Sequence, residues 1–419
     1  MTGAAARAVR IAIVGGGPIG LEAALYGRCL GHDVRLFEQG EVARGVLSWR
    51  HVRMLSPWAM NRTPLGTRRL AEAGYRVPED SICPTGAELA EQYLLPLSRD
   101  PLLAGHIQTH SRVVQIGRDG LLKGDLIGRP GRARHAFRLL VEDRSGEHIE
   151  HADVVLDCSG TYGHPNALGD GGIPAPGERW LGSRLWRHIP DVLGRDRHRF
   201  AGRKVLVVGA GLSAATVACA LVELQRQEPR TEVVWAVRRE GLTPYVPIPG
   251  DPLPSRAALM HAANELARAG ATQGGKLRFL HGVFVESLSA EGPRLRVLLR
   301  QGADRWHEEL CDEVIGLTGY GPDPTLYREL QVHECYATGG LMRLAAALVG
   351  AGGDCLAQPA LGPELLQSPE PRFFVLGAKS YGRNSAFLLR TGHEQIRQVF
   401  CLLHEDPQLD LYAAPPGTR

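Results

Sequence analysis

Two short glycine-rich runs carry the most specific chemistry in this sequence: Gly15-Gly16-Gly17-Pro18-Ile19-Gly20 and Gly209-Ala210-Gly211-Leu212-Ser213-Ala214. Placed between a strand and a helix, the first glycine of such a run permits a tight turn. The second lets a pyrophosphate approach the backbone, and a small third residue lets helix and strand pack closely. The helix start adds unpaired N–H groups and the positive end of the helix dipole. The chemistry implied is the binding of a dinucleotide, twice, with Gly15, Gly17, Pro18, Ile19 and Gly20 at one site and Gly209, Gly211, Leu212 and Ser213 at the other.

The flanking elements must hold these turns, and they fit. Ile11-Ala12-Ile13-Val14 and Val205-Leu206-Val207-Val208 read as buried strands, and an alanine-rich helical pattern follows each turn. After the first turn the pattern predicts a helix through Leu21 to Leu30, closed by Gly31, and a strand Val34–Phe37 that ends at Glu38-Gln39. An acid there is placed to accept hydrogen bonds from an adenosine ribose. After the second turn the equivalent strand, Val233–Val237, ends at Arg238-Arg239 instead. Guanidinium groups at that position suit a 2′-phosphate. The first site therefore reads as FAD and the second as NADPH.

A longer repetition supports the pairing. Phe137–Val141 and then His151–Gly160 follow the first turn as apolar strands, and Leu295–Leu299 and Asp312–Asp323 follow the second in the same order. The expected fold class is α/β, with two Rossmann-like dinucleotide-binding domains. The expected boundaries are 1–165 and 320–410 for the FAD domain and 180–319 for the NAD(P)H domain. A linker over 166–179 and a C-terminal tail over 411–419 complete the chain.

On these motifs the chain resembles the two-dinucleotide-binding flavoproteins, the superfamily of flavin-containing monooxygenases, thioredoxin reductases and related pyridine-nucleotide oxidoreductases. The resemblance covers nearly the whole length and implies domains of the glutathione-reductase type, the NADPH domain inserted in the FAD domain. It implies that Ser159-Gly160 and Thr318-Gly319 mark strand ends at domain crossings, and that Ile173-Pro174-Ala175-Pro176-Gly177-Glu178 introduces the inserted domain. It also implies FAD contacts at Val113 and Gly160. The C-terminal strand Arg372–Gly377 and the helix after it should return to the flavin, with Asn384-Ser385 as the helix cap. Gly377-Ala378-Lys379 replaces the family's Gly-Asp, so Lys379 or Asn384 is expected to take over the ribityl contact. Gly45-Val46-Leu47-Ser48-Trp49 is similar to a monooxygenase Gly-Gly-x-x-Trp with one glycine missing, which assigns Trp49 to the flavin. The run His51–Gly66 is expected to line the isoalloxazine, with Asn61 as the candidate catalytic hydrogen-bonding group. The monooxygenase fingerprint near the junction is half present: Trp180 and Gly182 fit, but Trp186 occupies the histidine position and His188 comes late.

Composition narrows the reading further. At 419 residues with 44% hydrophobic content the chain can fill two cores, and a net charge of +3 gives no reason to invoke nucleic acid. The first core strand starts so early that no removable leader is expected, and Val205–Leu224 reads as strand plus buried helix, not a membrane span. A cytoplasmic location follows as the default. The eight cysteines include no C-x-x-C pair, which argues against transfer of electrons to a disulfide. The histidines show no metal-ligand cluster, so no metal is expected. The resemblance then implies an NADPH-consuming monooxygenase that acts through a flavin hydroperoxide on an N, S or carbonyl centre of a small molecule, with O2 as co-substrate. A reductase or dehydrogenase serving a small molecule, quinone or protein carrier is the second reading. A non-enzymatic redox sensor that binds FAD and NAD(P) is the third. A homodimer is left open.

Overall fold

A computed structural model describes residues 8–272, 277–350, 354–358 and 362–413. The chain divides into two compact units. The first comprises Met1–Arg50, Pro57–His164 and Gly321–Arg419, the second His51–Ser56 and Pro165–Tyr320. The stretch 166–179, read from the sequence as a linker, packs within the second unit. There Glu178 is buried and its carboxylate accepts the Leu168 and Ala175 N–H groups at 2.9–3.0 Å.

In chain order the first unit opens with β1 (Arg10–Val14), β2 (Asp33–Phe37), β3 (Ile107–Gln108), β4 (Arg112–Arg118), β5 (Phe137–Asp143), β6 (Gly146–Ala152) and β7 (Val154–Asp157). The second contains β8 (Leu185–Trp186), β9 (Lys204–Val208), β10 (Glu232–Val237), β11 (Arg278–His281), β12 (Val283–Glu291), β13 (Arg294–Gln301), β14 (Arg305–Cys311) and β15 (Glu313–Gly316). The chain then returns to the first unit with β16 (Phe373–Val375). The principal helices are α1 (Pro18–Cys29), α2 (Leu212–Gln227), α3 (Pro254–Gly270) and α4 (Leu389–His404).

Each unit has a five-stranded parallel sheet, β16-β7-β1-β2-β3 in the first and β11-β10-β9-β15-β8 in the second, and a three-stranded antiparallel meander, β4-β5-β6 or β12-β13-β14. The glycine turns follow the central strands β1 and β9. This is where an open α/β sheet leaves a crevice beyond its strand ends. β1 and β9 are buried on both faces, which is why they read as unbroken apolar runs and not as alternation. α1 packs on α4, where Tyr26 stacks on Phe400 with ring centroids 4.9 Å apart. In the second unit Trp235 is fully buried against the edge of Phe279.

Two expectations are corrected. The run His151–Gly160 is two strands, because Asp153 turns the chain out of the meander and into the parallel sheet: its carboxylate accepts the Arg10 N–H at 3.0 Å and its own N–H donates to the Arg10 carbonyl. Asp312 does the same to Lys204 at the start of β9, with a 2.8 Å bond from the Lys204 N–H. The C-terminal helix is also not capped by Asn384-Ser385. It starts at Leu389 after an extended Leu388, because the Asn384 Oδ1 accepts the Ala386 N–H at 2.9 Å and closes a separate local turn.

Candidate dinucleotide sites

The first turn is fixed from three sides. Gly15 has φ +104° and donates its N–H to the Phe37 carbonyl at 2.8 Å. A side chain there would stand 2.6 Å from the Cys158 carbonyl, so both conformation and space require glycine. Gly17 precedes α1 and faces open space, and Pro18 starts the helix where its missing N–H costs nothing. Glu38, 9% exposed, accepts the N–H groups of Gly16 at 2.7 Å and Gly40 at 2.8 Å. Its carboxylate is thereby held against the turn, and each oxygen keeps a lone pair for a sugar hydroxyl. Among the described residues the Gly17 and Ile19 N–H groups have no backbone or side-chain partner. An open glycine, a helix start and a carboxylate at the end of the neighbouring strand fit an adenine dinucleotide.

The other residues assigned to this site are spread over several segments of the first unit. Ser111, two before Val113, donates its N–H to the Glu38 carbonyl at 2.9 Å, so β4 enters beside the acid, and Gln39 is exposed next to it. Gly160, Gly377 and Lys379 lie on the exits of β7 and β16. There Lys379, 3% exposed, places its ammonium 2.7 Å from the Asp157 carboxylate and 3.0 Å from Ser159 Oγ. Ser159 donates from backbone and hydroxyl to the other Asp157 oxygen. The Gly377 N–H donates to Gln395 Oε1 at 2.8 Å, and Gln395 Nε2 donates to Ser380 Oγ at 2.9 Å, which fixes the turn that carries Lys379. Trp49 follows the short helix Arg44–Leu47, its ring centroid 6.4 Å from that of Tyr162. Asn384 is half-buried and Ser385 exposed.

Asn61 is buried at 1% exposure and donates from Nδ2 to the Pro57 carbonyl at 2.8 Å, bracing the 3-10 turn Trp58–Met60. Nearby, Thr63 Oγ1 donates to Glu22 Oε1 at 2.7 Å and the Tyr93 hydroxyl to Glu22 Oε2 at 3.3 Å. Burial pushes the Glu22 carboxyl up to about 7 against these bonds, which act to lower it. The sequence placed Glu22 in a helix without marking it as buried. The signal available was an acid within the otherwise apolar run Ile19–Leu25.

The second turn repeats the geometry with different braces. Gly209 has φ +139°, and a side chain there would collide with the Leu317 carbonyl. Gly211 faces open space. Here the turn's carbonyls are tied down: Trp235 Nε1 donates to the Gly209 oxygen and the Tyr245 hydroxyl to the Gly211 oxygen, both at 2.8 Å. Asn264 fixes Tyr245 through both of its backbone groups, at 3.0 and 2.8 Å. The N–H groups of Ala210, Gly211, Leu212 and Ser213 stay without partners among the described residues. Arg238 and Arg239 are exposed directly after β10, and neither side chain has a hydrogen bond or ion pair among the described residues. Unpaired guanidinium groups beside open turn N–H groups fit a phosphorylated dinucleotide.

All eight cysteines are free. Cys158, the one behind the first turn, has its thiol pushed well up by burial and by neighbouring Asp157, which disfavours the nucleophilic thiolate. Among the described residues no three His, Cys, Asp or Glu side chains gather as metal ligands, and no helix is long and apolar enough to cross a membrane.

No family model and no curated protein matches the sequence. Solved structures do. Bacillithiol disulfide reductase Bdr (YpdA) from Bacillus cereus superposes with TM-score 0.68 at 17% identity over 95% of this chain and 99% of that one. The ornithine N-hydroxylase KtzI from Kutzneria sp. 744, solved with reduced FAD, NADP+ and L-ornithine, gives 0.64 at 16% over 95% and 99%. Thioredoxin reductase from T. acidophilum gives 0.58 at 16% over 95% and 98%. At these identities the likeness is one of fold. The chain has the fold of the two-dinucleotide-binding flavoproteins.

Proposed function

We propose that this chain is an FAD-dependent, NADPH-consuming oxidoreductase of the cytoplasm, and specifically a monooxygenase acting on an N, S or carbonyl centre of a small molecule with O2 as co-substrate. The observation that carries the cofactor assignment is the contrast at the two strand ends: a buried carboxylate, Glu38, held against the first turn, and two exposed arginines, Arg238 and Arg239, unpaired among the described residues, beside the second. FAD would occupy the domain formed by 1–165 and 320–410, NADPH the domain 180–319. The structural neighbours include a hydroxylase solved with both nucleotides, which supports the pairing.

When bound, FAD supplies two-electron acceptance from the nicotinamide and onward transfer. The residues of this chain bind and orient. The Gly17 and Ile19 N–H groups would hold the flavin nucleotide's pyrophosphate and Glu38 its ribose. The Ala210 to Ser213 N–H groups would hold the NADPH pyrophosphate, and Arg238 with Arg239 its 2′-phosphate. The absence of a C-x-x-C pair and the suppressed ionisation of Cys158 argue against a disulfide as the acceptor at the first turn.

The test is NADPH oxidation under air with panels of amines, sulfides and ketones, scored for oxygen consumed and for oxygenated product. Stoichiometric product with one panel supports the monooxygenase. Substrate-independent turnover with quinones, disulfides or a protein carrier, and no oxygenated product, would replace it with the reductase reading.

A further inference from the structure

We propose that the Asp157–Lys379 ion pair positions the FAD-binding turn and sets the electrostatic environment of the flavin, with Lys379 as the positioning residue. The inference rests on the reading of the first turn as an FAD site. Both residues are sealed from solvent, Asp157 fully and Lys379 at 3% exposure. They leave adjacent parallel strands, since Val375 of β16 is in register with Asp157 of β7. The pair is therefore at the strand-end edge that carries the turn.

Asp157 is fully engaged. One oxygen takes the Lys379 ammonium at 2.7 Å, and the other takes the Ser159 N–H at 3.0 Å and its hydroxyl at 2.6 Å. Lys379 closes the ring with its own 3.0 Å bond to Ser159 Oγ and lies 5.0 Å from the centre of the Tyr327 ring. This ring fixes the exit Asp157–Gly160, and that exit is what the turn rests on: Gly15 abuts the Cys158 carbonyl, and the Cys158 N–H bonds the Val14 carbonyl at 2.9 Å. On the other side, a methyl on Gly377 would stand 3.3 Å from Ile19 Cγ1, so the turn that bears Lys379 touches the first residues of α1. Displacing the ammonium would leave Asp157 held by Ser159 alone, untie both from the turn that follows β16, and loosen the exit that carries the Cys158 carbonyl against Gly15. A buried carboxylate left without its cation is also a large local charge in a low-dielectric setting.

The experiment measures FAD affinity and flavin midpoint potential in the full-length protein for the wild type, Lys379→Met, Lys379→Arg, Asp157→Asn and the double variant Asp157→Asn/Lys379→Met. Removing either partner should weaken FAD binding by at least about tenfold, since breaking a buried pair costs far more than removing both partners. Arginine at 379 should restore most of the loss. The potentials carry the signature that a purely structural role would not give. Lys379→Met leaves the negative charge and should shift the potential negative, Asp157→Asn leaves the positive charge and should shift it positive, and the neutral double variant should return close to wild type. If the single variants fail to fold, the double variant decides: several-fold weaker FAD binding supports the proposal, and wild-type affinity overturns it. Folded single variants that bind FAD like the wild type, or potentials that move in the same direction, overturn it as well. A wild-type protein that takes up no FAD overturns the reading of the first turn and this inference with it, whereas an FAD-loaded wild type with indifferent variants overturns only the inference.

Discussion

The two units share one plan and brace their glycine turns in opposite ways. In the first, a carboxylate grips the turn through an N–H, Glu38 on Gly16. In the second, aromatic donors grip the turn through its carbonyls, Trp235 on Gly209 and Tyr245 on Gly211. The consequence is electrostatic. Among the described residues the first turn presents fewer unpartnered N–H groups, with a carboxylate beside them, while the second presents an uninterrupted set of donors next to two guanidinium groups that lack partners there. The same backbone device thus stands beside a buried acid in one place and beside exposed guanidinium groups in the other, the contrast on which the proposed ribose and 2′-phosphate assignments rest. The supports below also differ, with a buried ion pair under the first turn and an aromatic cluster, Trp235 with Phe279, beside the second.

The largest predicted effect would break the first side of this comparison. A methyl on Gly20 would collide with the Gly15 carbonyl oxygen, so Gly20→Ala should destabilise the first unit by about 3 kcal/mol or more and abolish flavin retention, measurable by denaturant unfolding and flavin content. Gly17→Ala, where space is open, should leave folding intact and weaken only FAD binding.

The next effect separates the units by pH. Glu22 has a folded value of about 7 against 4.5 for the free group. A raised carboxyl stabilises the fold fully below the unfolded value, and the contribution is lost as pH rises through the folded value. The first unit should therefore lose up to about 3 kcal/mol between pH near 4.5 and 7. Glu22→Gln should flatten that dependence in pH-resolved unfolding, and an unchanged profile would remove Glu22 as its source.

Arg238→Ala should raise the NADPH KM about tenfold, as expected for one charge-assisted phosphate contact, and barely alter the NADH KM. Equal changes would contradict the 2′-phosphate assignment. The smallest effect is that of Tyr245→Phe, which removes one neutral hydrogen bond from the second turn. It should cost about 1 kcal/mol of NADPH binding and leave FAD affinity unchanged, as read by titration calorimetry.

Much of this plan was legible in the sequence because local rules and tertiary structure agree at the turns. The strand-turn-helix runs around Gly15 and Gly209, the strands ending at Phe37 and Val237, and the division of Val205–Leu224 into β9 and α2 all follow from short apolar runs and glycine spacing. The misreadings came where a single polar side chain redirects the chain. Asp153 splits an apolar run into β6 and β7 by bonding Arg10, a partner remote in sequence, and Asn384 spends its cap-forming oxygen on a local turn. The braces were hidden for the same reason: Tyr245, Gln395 and Asp157 act on residues far along the chain, and residue type alone does not announce such partners. Lys379 stood out only as a departure from the Gly-Asp of the resembled family. Its pairing with Asp157 depends on β16 lying beside β7.

The most direct test of the central claim, two turns for two different dinucleotides in one chain, is anaerobic flavin bleaching by NADPH and by NADH in the wild type, Gly17→Ala and Gly211→Ala. The account predicts a yellow wild type bleached faster by NADPH, a Gly211→Ala variant that keeps its flavin but responds poorly to NADPH, and a folded Gly17→Ala variant depleted of flavin. A colourless wild type that cannot be reconstituted with FAD, or a Gly211→Ala variant that loses flavin while Gly17→Ala keeps it, would contradict the assignment.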